Sequence, residues 1–453
     1  MTDREVTAGE PPGALTYFRQ FFALERDVFV LSVAMFAFSL GFQMTGRYMA
    51  EYIVALGGAS VVVGLYGSFG NLISAVYPYP GGAISDRIGS RTALTAFGLA
   101  SALGFAVWLV APGLSVGPVP AWAWLFVGLL LAQAWKSFGL GATFAIVKQS
   151  VPDEELATGF ASTETFRRVA FLVGPLIAAG LVARYGFDLG FRYVLAVAVL
   201  VALLATVAQY RLYDAEGDSF GEQFAGLSQV RDDLTSLPSP LRPLLVGDTL
   251  VRFANGMVYG FAVLVITRYL ETDATVLGIY LPPAALFGVF VAIEMAVALL
   301  TMVPVAKAAR RVGLVPVVGL GFFVYAVFPV MLVNAPDGGV SVAGLRFSEA
   351  VVVGAIWAFS GLRFAGLPAH KALIVGPARR GAGGRVTGSY YLVRNGVTIP
   401  SAAVGGVLYG SAGLTLAGTT LTGPQLAFSL ATVVGLVGTA YFLARGEEFE
   451  AYA

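Results

Sequence analysis

A chain of 453 residues with 57% hydrophobic side chains, 12% charged ones and a mean hydropathy of +0.79 is too apolar for a water-soluble fold, since soluble domains run at roughly 45–50% apolar and about 25% charged. The formal net charge of +1 points to no nucleic acid or acidic partner, and the absence of cysteine excludes disulfides, thiolate metal sites and thiol catalysis. At ~20 apolar residues per bilayer crossing, the length accommodates about a dozen spans with short loops.

In chain order, residues 1–27 carry charge without the apolar core of a cleaved signal peptide. Within them Ala14-Leu15-Thr16-Tyr17-Phe18-Arg19-Gln20-Phe21-Phe22 reads as a short amphipathic helix on the membrane surface. Apolar runs then fall at 28–56, 61–83, 92–111, 121–147, 160–182 and 191–210, and six more at 244–269, 286–306, 314–334, 350–375, 387–409 and 426–444. Long continuous runs indicate helices, because strands of a barrel would appear as short alternating segments. The polar stretch from Arg211 to Arg242 separates two sets of six, and Phe224, Leu227, Val230 and Leu234 give part of it a helical apolar face. The expected organisation is an all-α membrane protein of twelve transmembrane helices: a cytoplasmic segment 1–27, a six-helix bundle 28–211, a cytoplasmic linker 212–242, a second six-helix bundle 243–445 and a tail 446–453.

Basic residues flank alternate connections, at Arg87 and Arg91, Lys148, Arg211, Lys307 with Arg310 and Arg311, Arg379 with Arg380 and Arg385, and Arg445. The intervening connections 57–60, 113–120 and 411–423 carry none. The positive-inside rule then places both termini and the linker in the cytoplasm of a multi-pass plasma-membrane protein. The two sets of six also repeat. Pro80, Arg87 and Gly89 recur as Pro304, Arg311 and Gly313, Ala111-Pro112 as Ala335-Pro336 and Gly64 as Gly288, all 224 positions apart; Thr158-Gly159 recurs as Thr387-Gly388 at 229. Parallel repeats around a mid-membrane site are a design of alternating-access carriers.

After the second run stands Gly82-Ala83-Ile84-Ser85-Asp86-Arg87-Ile88-Gly89-Ser90-Arg91, which matches the loop signature G-x-x-x-D-R-x-G-x-R. With the twelve-span repeat, this resembles the major facilitator superfamily over essentially the whole chain. Gly82 and Asp86 share a helix face, Gly89 permits a tight reversal, and Arg87 and Arg91 sit at headgroup level. The resemblance implies that Asp86 latches the two halves on the cytoplasmic side, against the start of the eleventh span near Arg385 and Arg394. In the second half the position of Asp86 is Arg310, so the mirror latch lacks its carboxylate. Trp135-Lys136-Ser137-Phe138-Gly139-Leu140-Gly141-Ala142 is similar to the family's R-x-x-Q-G-x-G-A stretch, with Trp135 in the arginine place, and Gly174-Pro175 resembles an incomplete antiporter motif.

Ionisable residues within spans are costly and therefore functional candidates. Arg47 with Glu51, Glu164 with Arg168 and Asp248 with Arg252 are spaced to pair along one helix. Glu294, with apolar neighbours, is the first candidate proton carrier, followed by Asp248 and Glu164. Lys136, Arg168, Arg252, Asn255, Arg363 and Arg394 are the candidate cavity residues, and their cations would suit an anionic group. His370, the only histidine, reads as a boundary residue, and Trp122, Trp124, Tyr390 and Tyr391 as interfacial anchors. No nucleotide-binding P-loop is present, so transport would draw on an ion gradient, with H+ first, and needs no cofactor. The expected function is proton-coupled efflux of a small organic solute by a monomer in the lipid bilayer; the alternative is an uptake carrier or exchanger for an organic anion. An intramembrane enzyme is remote, because the spans lack clustered metal ligands or a nucleophile with its base.

Overall fold

The computed structural model describes residues 26–77, 84, 87–114, 117–138, 156–213, 238–376, 383–416 and 418–448. The expected surface helix near the N-terminus, the helical stretch of the linker and the last residues of the tail lie outside them.

Helices α1 (Arg26–Gly46) and α2 (Met49–Ala55) make the first span, α3 (Ser60–Val76) the second, α4 (Ser90–Val110) the third and α5 (Trp124–Gln133) the fourth. Helix α6 (Leu156–Leu212) holds the fifth and sixth, because Gly186 breaks it with φ 75° and ψ 172°. In the second half α7 (Leu241–Val258) continues through short turns to Tyr269, followed by α8 (Pro283–Val312) and α9 (Leu314–Val333). Helices α10 (Glu349–Gly361) and α11 (Leu367–Val375) form the tenth span, α12 (Gly383–Thr398) and α13 (Ser401–Tyr409) the eleventh, and α14 (Gly423–Arg445) the twelfth. Among the described residues eight segments are long and apolar enough to cross a membrane, one of them being the doubled α6. The shorter α3 and α5 and the α12–α13 pair fall where the remaining runs were expected, in agreement with a twelve-span arrangement.

The repeat is visible in the backbone. Gly89 and Gly313, 224 positions apart, both start the third helix of their half with a positive φ, 81° and 91°, a conformation that a side chain disfavours. Gly64 and Gly288 carry the same relation into packing. A Cβ on Gly64 would strike the Ala402 carbonyl and Gly406 on α13, and one on Gly288 would strike the Pro175 carbonyl and Ala179 on α6. The second span of each half thus crosses the fifth of the other, and small residues let the backbones meet.

One feature was not expected. Three connections of the second half carry two-stranded antiparallel hairpins: β1 (Ala274–Val276) with β2 (Ile279–Leu281), β3 (Val340–Val342) with β4 (Leu345–Phe347), and β5 (Leu414–Leu416) with β6 (Thr419–Leu421). The first two turn through Leu277-Gly278 and Ala343-Gly344, all four with positive φ, as two-residue hairpin turns require. They mark one end of the molecule, the hairpin end, opposite the linker end.

Candidate functional site

The two halves meet at the hairpin end. There the Gly64 and Gly288 crossings are joined by the edge-on packing of Tyr48 against Phe287, 5.4 Å between centroids. Glu51 adds a polar tie. Its Oε1 accepts from Arg268 Nη2 at 2.7 Å, and its Oε2 from Arg268 Nε at 3.0 Å and Thr267 Oγ1 at 2.7 Å. The expected pair of Arg47 with Glu51 is therefore not formed. Arg47 instead donates from Nε to Gln43 Oε1 at 3.3 Å and stacks over Tyr259 of the other half, 4.6 Å from the ring centre. A fork-shaped guanidinium across the gap suits both carboxylate oxygens, which an i, i+4 neighbour reaches less well.

On the linker side of this seal lies a cavity of about 450 Å3 between the halves, within the size range that holds small organic molecules. Its lining includes four cations, Arg47, Lys136, Arg252 and Arg394, together with Asn71, Gln133, Asn255 and Asn395; no carboxylate lines it among the described residues. Local backbone aims two of the cations. The helix of the fourth span widens into a π-turn at Ala134–Phe138, so Trp135 turns inward to stack on Phe38 at 4.3 Å while Lys136 is presented to the cavity. Such turns often occur at functional sites, and a second one, Val265–Tyr269, carries Arg268 to Glu51. Among the described residues Lys136 has a ring contact with Phe42 at 5.4 Å and no salt-bridge partner.

Asp248 is fully buried behind the cavity wall and collects donors from three spans. Arg252 Nε reaches Oδ1 at 3.2 Å, as expected for the i, i+4 pair. On Oδ2 converge Arg394 Nη1 at 3.2 Å, Tyr390 Oη at 3.0 Å and His370 Nε2 at 3.1 Å. This corrects two expectations. His370 and Tyr390 are buried members of the cluster, not boundary or interfacial residues. Arg252 also receives Tyr325 into its reach, its Nη1 donating to the phenol oxygen at 3.0 Å.

Glu294 is no solitary carboxyl. Arg363 Nη2 lies 2.6 Å from its Oε1, Ser360 Oγ donates to the same oxygen at 2.5 Å, and both charged side chains are buried. Gly361 makes the contact possible, since a side chain there would meet the Glu294 carbonyl. The guanidinium is further boxed by Tyr325 and Phe364, each 4.8 Å away. Arg363 is thus paired with Glu294 while lining a small hollow with Arg47 and Asn255, and Arg47 joins the candidate anion-binding residues.

Of the loop signature, Gly82 and Asp86 lie outside the described residues. Arg87 is exposed, and Arg91 donates from Nε to the Tyr210 carbonyl at 2.9 Å while stacking on that ring, tying the third span to the sixth. Arg168 is half-buried on α6, and the side chain of Glu164 lies outside the described residues. No group of three His, Cys, Asp or Glu suited to a metal occurs among the described residues.

Two helical halves related by a repeat thus meet at one end around a polar cavity. The family model described as Major Facilitator Superfamily matches residues 31–402, and the chain belongs to that superfamily. An uncharacterized MFS-type transporter of Mycobacterium tuberculosis is 32% identical over 198 residues, covering 44% of this chain and 43% of that protein. A Na(+), Li(+), K(+)/H(+) antiporter of Planococcus maritimus is 25% identical over 224 residues, covering 46% and 49%. The chain thus matches less than half the length of these curated relatives. Among solved structures, the nucleoside transporter NupG superposes with a TM-score of 0.65 at 13% identity over 93% of this chain and 99% of that one. A POT family transporter in complex with 5-aminolevulinic acid gives 0.67 at 14% over 94% and 98%. At such identities the likeness concerns the fold.

Proposed function

We propose that this superfamily member is a secondary active carrier for a small organic anion, working by alternating access across the plasma membrane. The observation that carries the reading is the lining of the cavity: four cations and, among the described residues, no carboxylate. In a bilayer-bounded hollow such an excess of positive charge favours an anion and penalises a cation. The amides of Asn71, Gln133, Asn255 and Asn395 offer donors and acceptors for the rest of the cargo.

The tight crossings at the hairpin end support an inward-facing assignment, with basic flanks, linker and termini in the cytoplasm. Outward opening then requires parting Glu51 from Arg268 and the Gly64 and Gly288 crossings. Proton-driven efflux, the first expectation, finds support in the name of the Planococcus relative and in Gly174, which packs against Gln43 and Met44 of α1. The cavity favours the organic-anion alternative, since Glu294 is held by Arg363 and the described lining offers a metal cation or cationic drug no carboxylate.

Counterflow in proteoliposomes tests this directly. Labelled mono- and dicarboxylates should exchange saturably, whereas matched neutral and cationic solutes should not. Exchange of cations alone would refute the reading.

A further inference from the structure

Three donors approach one oxygen of Asp248, and an sp2 oxygen has two lone-pair directions to offer. Tyr390 and Arg394 occupy them with aligned bonds. His370 Nε2, at 3.1 Å, is as close as either but out of alignment, so a ring nitrogen only 4% exposed is left without a hydrogen bond. Of the two bonded donors Arg394 is the one with access to cargo, because it also lines the cavity whereas Tyr390 is fully buried.

We propose that His370 is the proton site of the carrier: once protonated, its ring takes the place of Arg394 at Asp248 Oδ2, and the released guanidinium turns to the anionic cargo. The exchange rests on the anion-carrier reading and deepens it. A buried carboxylate is not left without a cation at any stage. Cargo and proton therefore favour each other's binding, and by linkage the effect is reciprocal, which makes the carrier a symporter of anion and proton.

The charged and titratable groups around the ring are accounted for. From α7 come Asp248 and Arg252, from α9 Tyr325, and from α12 Tyr390 and Arg394. The tenth span adds Arg363, which shares a small hollow with His370, and the exposed Lys371. Helix α8, also packed on α11, carries Glu294, held by Arg363, and the exposed Lys307 and Arg311 nearer its linker end. Among these Asp248 is the carboxylate in reach of His370.

Because the chain contains a single histidine, histidine-selective isotope labelling gives one imidazole signal, and its protonation is read by NMR in nanodiscs without any cargo. In Arg394→Gln, which removes the competing cation and vacates Oδ2, the pH titration of the ring should differ from that of the unaltered protein. Tyr390→Phe, which vacates the other lone pair and keeps all charges, should alter it less. Asp248→Asn, which removes the carboxylate, should alter it as well. An unchanged titration in both Arg394→Gln and Tyr390→Phe overturns the exchange. In proteoliposomes, His370→Gln should lose the rise of benzoate or succinate net uptake at acid pH. A variant with the wild-type pH profile overturns the proposal while leaving the anion reading intact; absence of anion counterflow in the unaltered protein overturns that reading itself.

Discussion

Glu294 and Asp248 are both fully buried carboxylates of the second half, yet their surroundings differ in kind. Glu294 has one cation, Arg363, at 2.6 Å, whose guanidinium lies among aromatic rings. Asp248 has Arg252, Arg394 and His370 around it, and its two arginines face the cavity. A carboxylate with a single cation reads as a strut, whereas one with surplus cations that line the cavity reads as an exchange point. Tyr325 stands between them, 4.8 Å from both Arg252 and Arg363, and gives the two clusters a shared wall. Burial of a charge alone does not separate these roles; the number of partners and their access to the cavity do.

The largest expected effect sharpens that contrast. Glu294→Gln leaves Arg363 as an uncompensated buried charge and should cost about 3–5 kcal/mol, seen as a sharp fall in melting temperature in detergent. Replacing both members by methionine should recover most of the loss, which a role in coupling would not predict. Next in size is the seal. Glu51→Gln weakens a bidentate, charge-assisted tie and should shift the conformational balance by about 1.5–3 kcal/mol toward an open hairpin end. As the chain lacks cysteine, nitroxides at Val61→Cys and Val407→Cys can follow this opening as a longer distance population; an unchanged distribution would remove Glu51 from the gate. The smallest is Tyr390→Phe, which removes one hydrogen bond to Asp248 and should lower stability by about 1 kcal/mol, measured in the same melts.

Much of the architecture is legible in the chain. Apolar runs of helical length, and the 224-residue spacing of Gly64 with Gly288 and Gly89 with Gly313, anticipate two like halves, because glycine at those positions answers to backbone contact and positive φ. The loop signature adds the family. The hairpins were missed although Val276-Leu277-Gly278-Ile279 and Val342-Ala343-Gly344-Leu345 carry the glycine of a tight turn, since their apolar residues blend into the neighbouring spans. The site was only half legible. Asp248 with Arg252 follows from i, i+4 spacing, and Lys136 and Arg394 stood out as intramembrane cations. Partners far apart in the chain did not: Arg268 lies 217 positions from Glu51, and His370 and Tyr390 reach Asp248 only through packing of three spans. Nor does helical periodicity foresee a π-turn, which alone decides that Lys136 faces the cavity while Trp135 faces the core.

Charge inversion at Lys136 tests the central claim most directly, because this side chain lines the cavity without a salt-bridge partner among the described residues. Lys136→Glu should leave the protein folded and inserted but abolish saturable counterflow of labelled carboxylates, with Lys136→Gln intermediate at roughly a tenfold or greater loss of affinity. Carboxylate counterflow of unaltered affinity in Lys136→Glu would contradict an anion-binding cavity between the two halves.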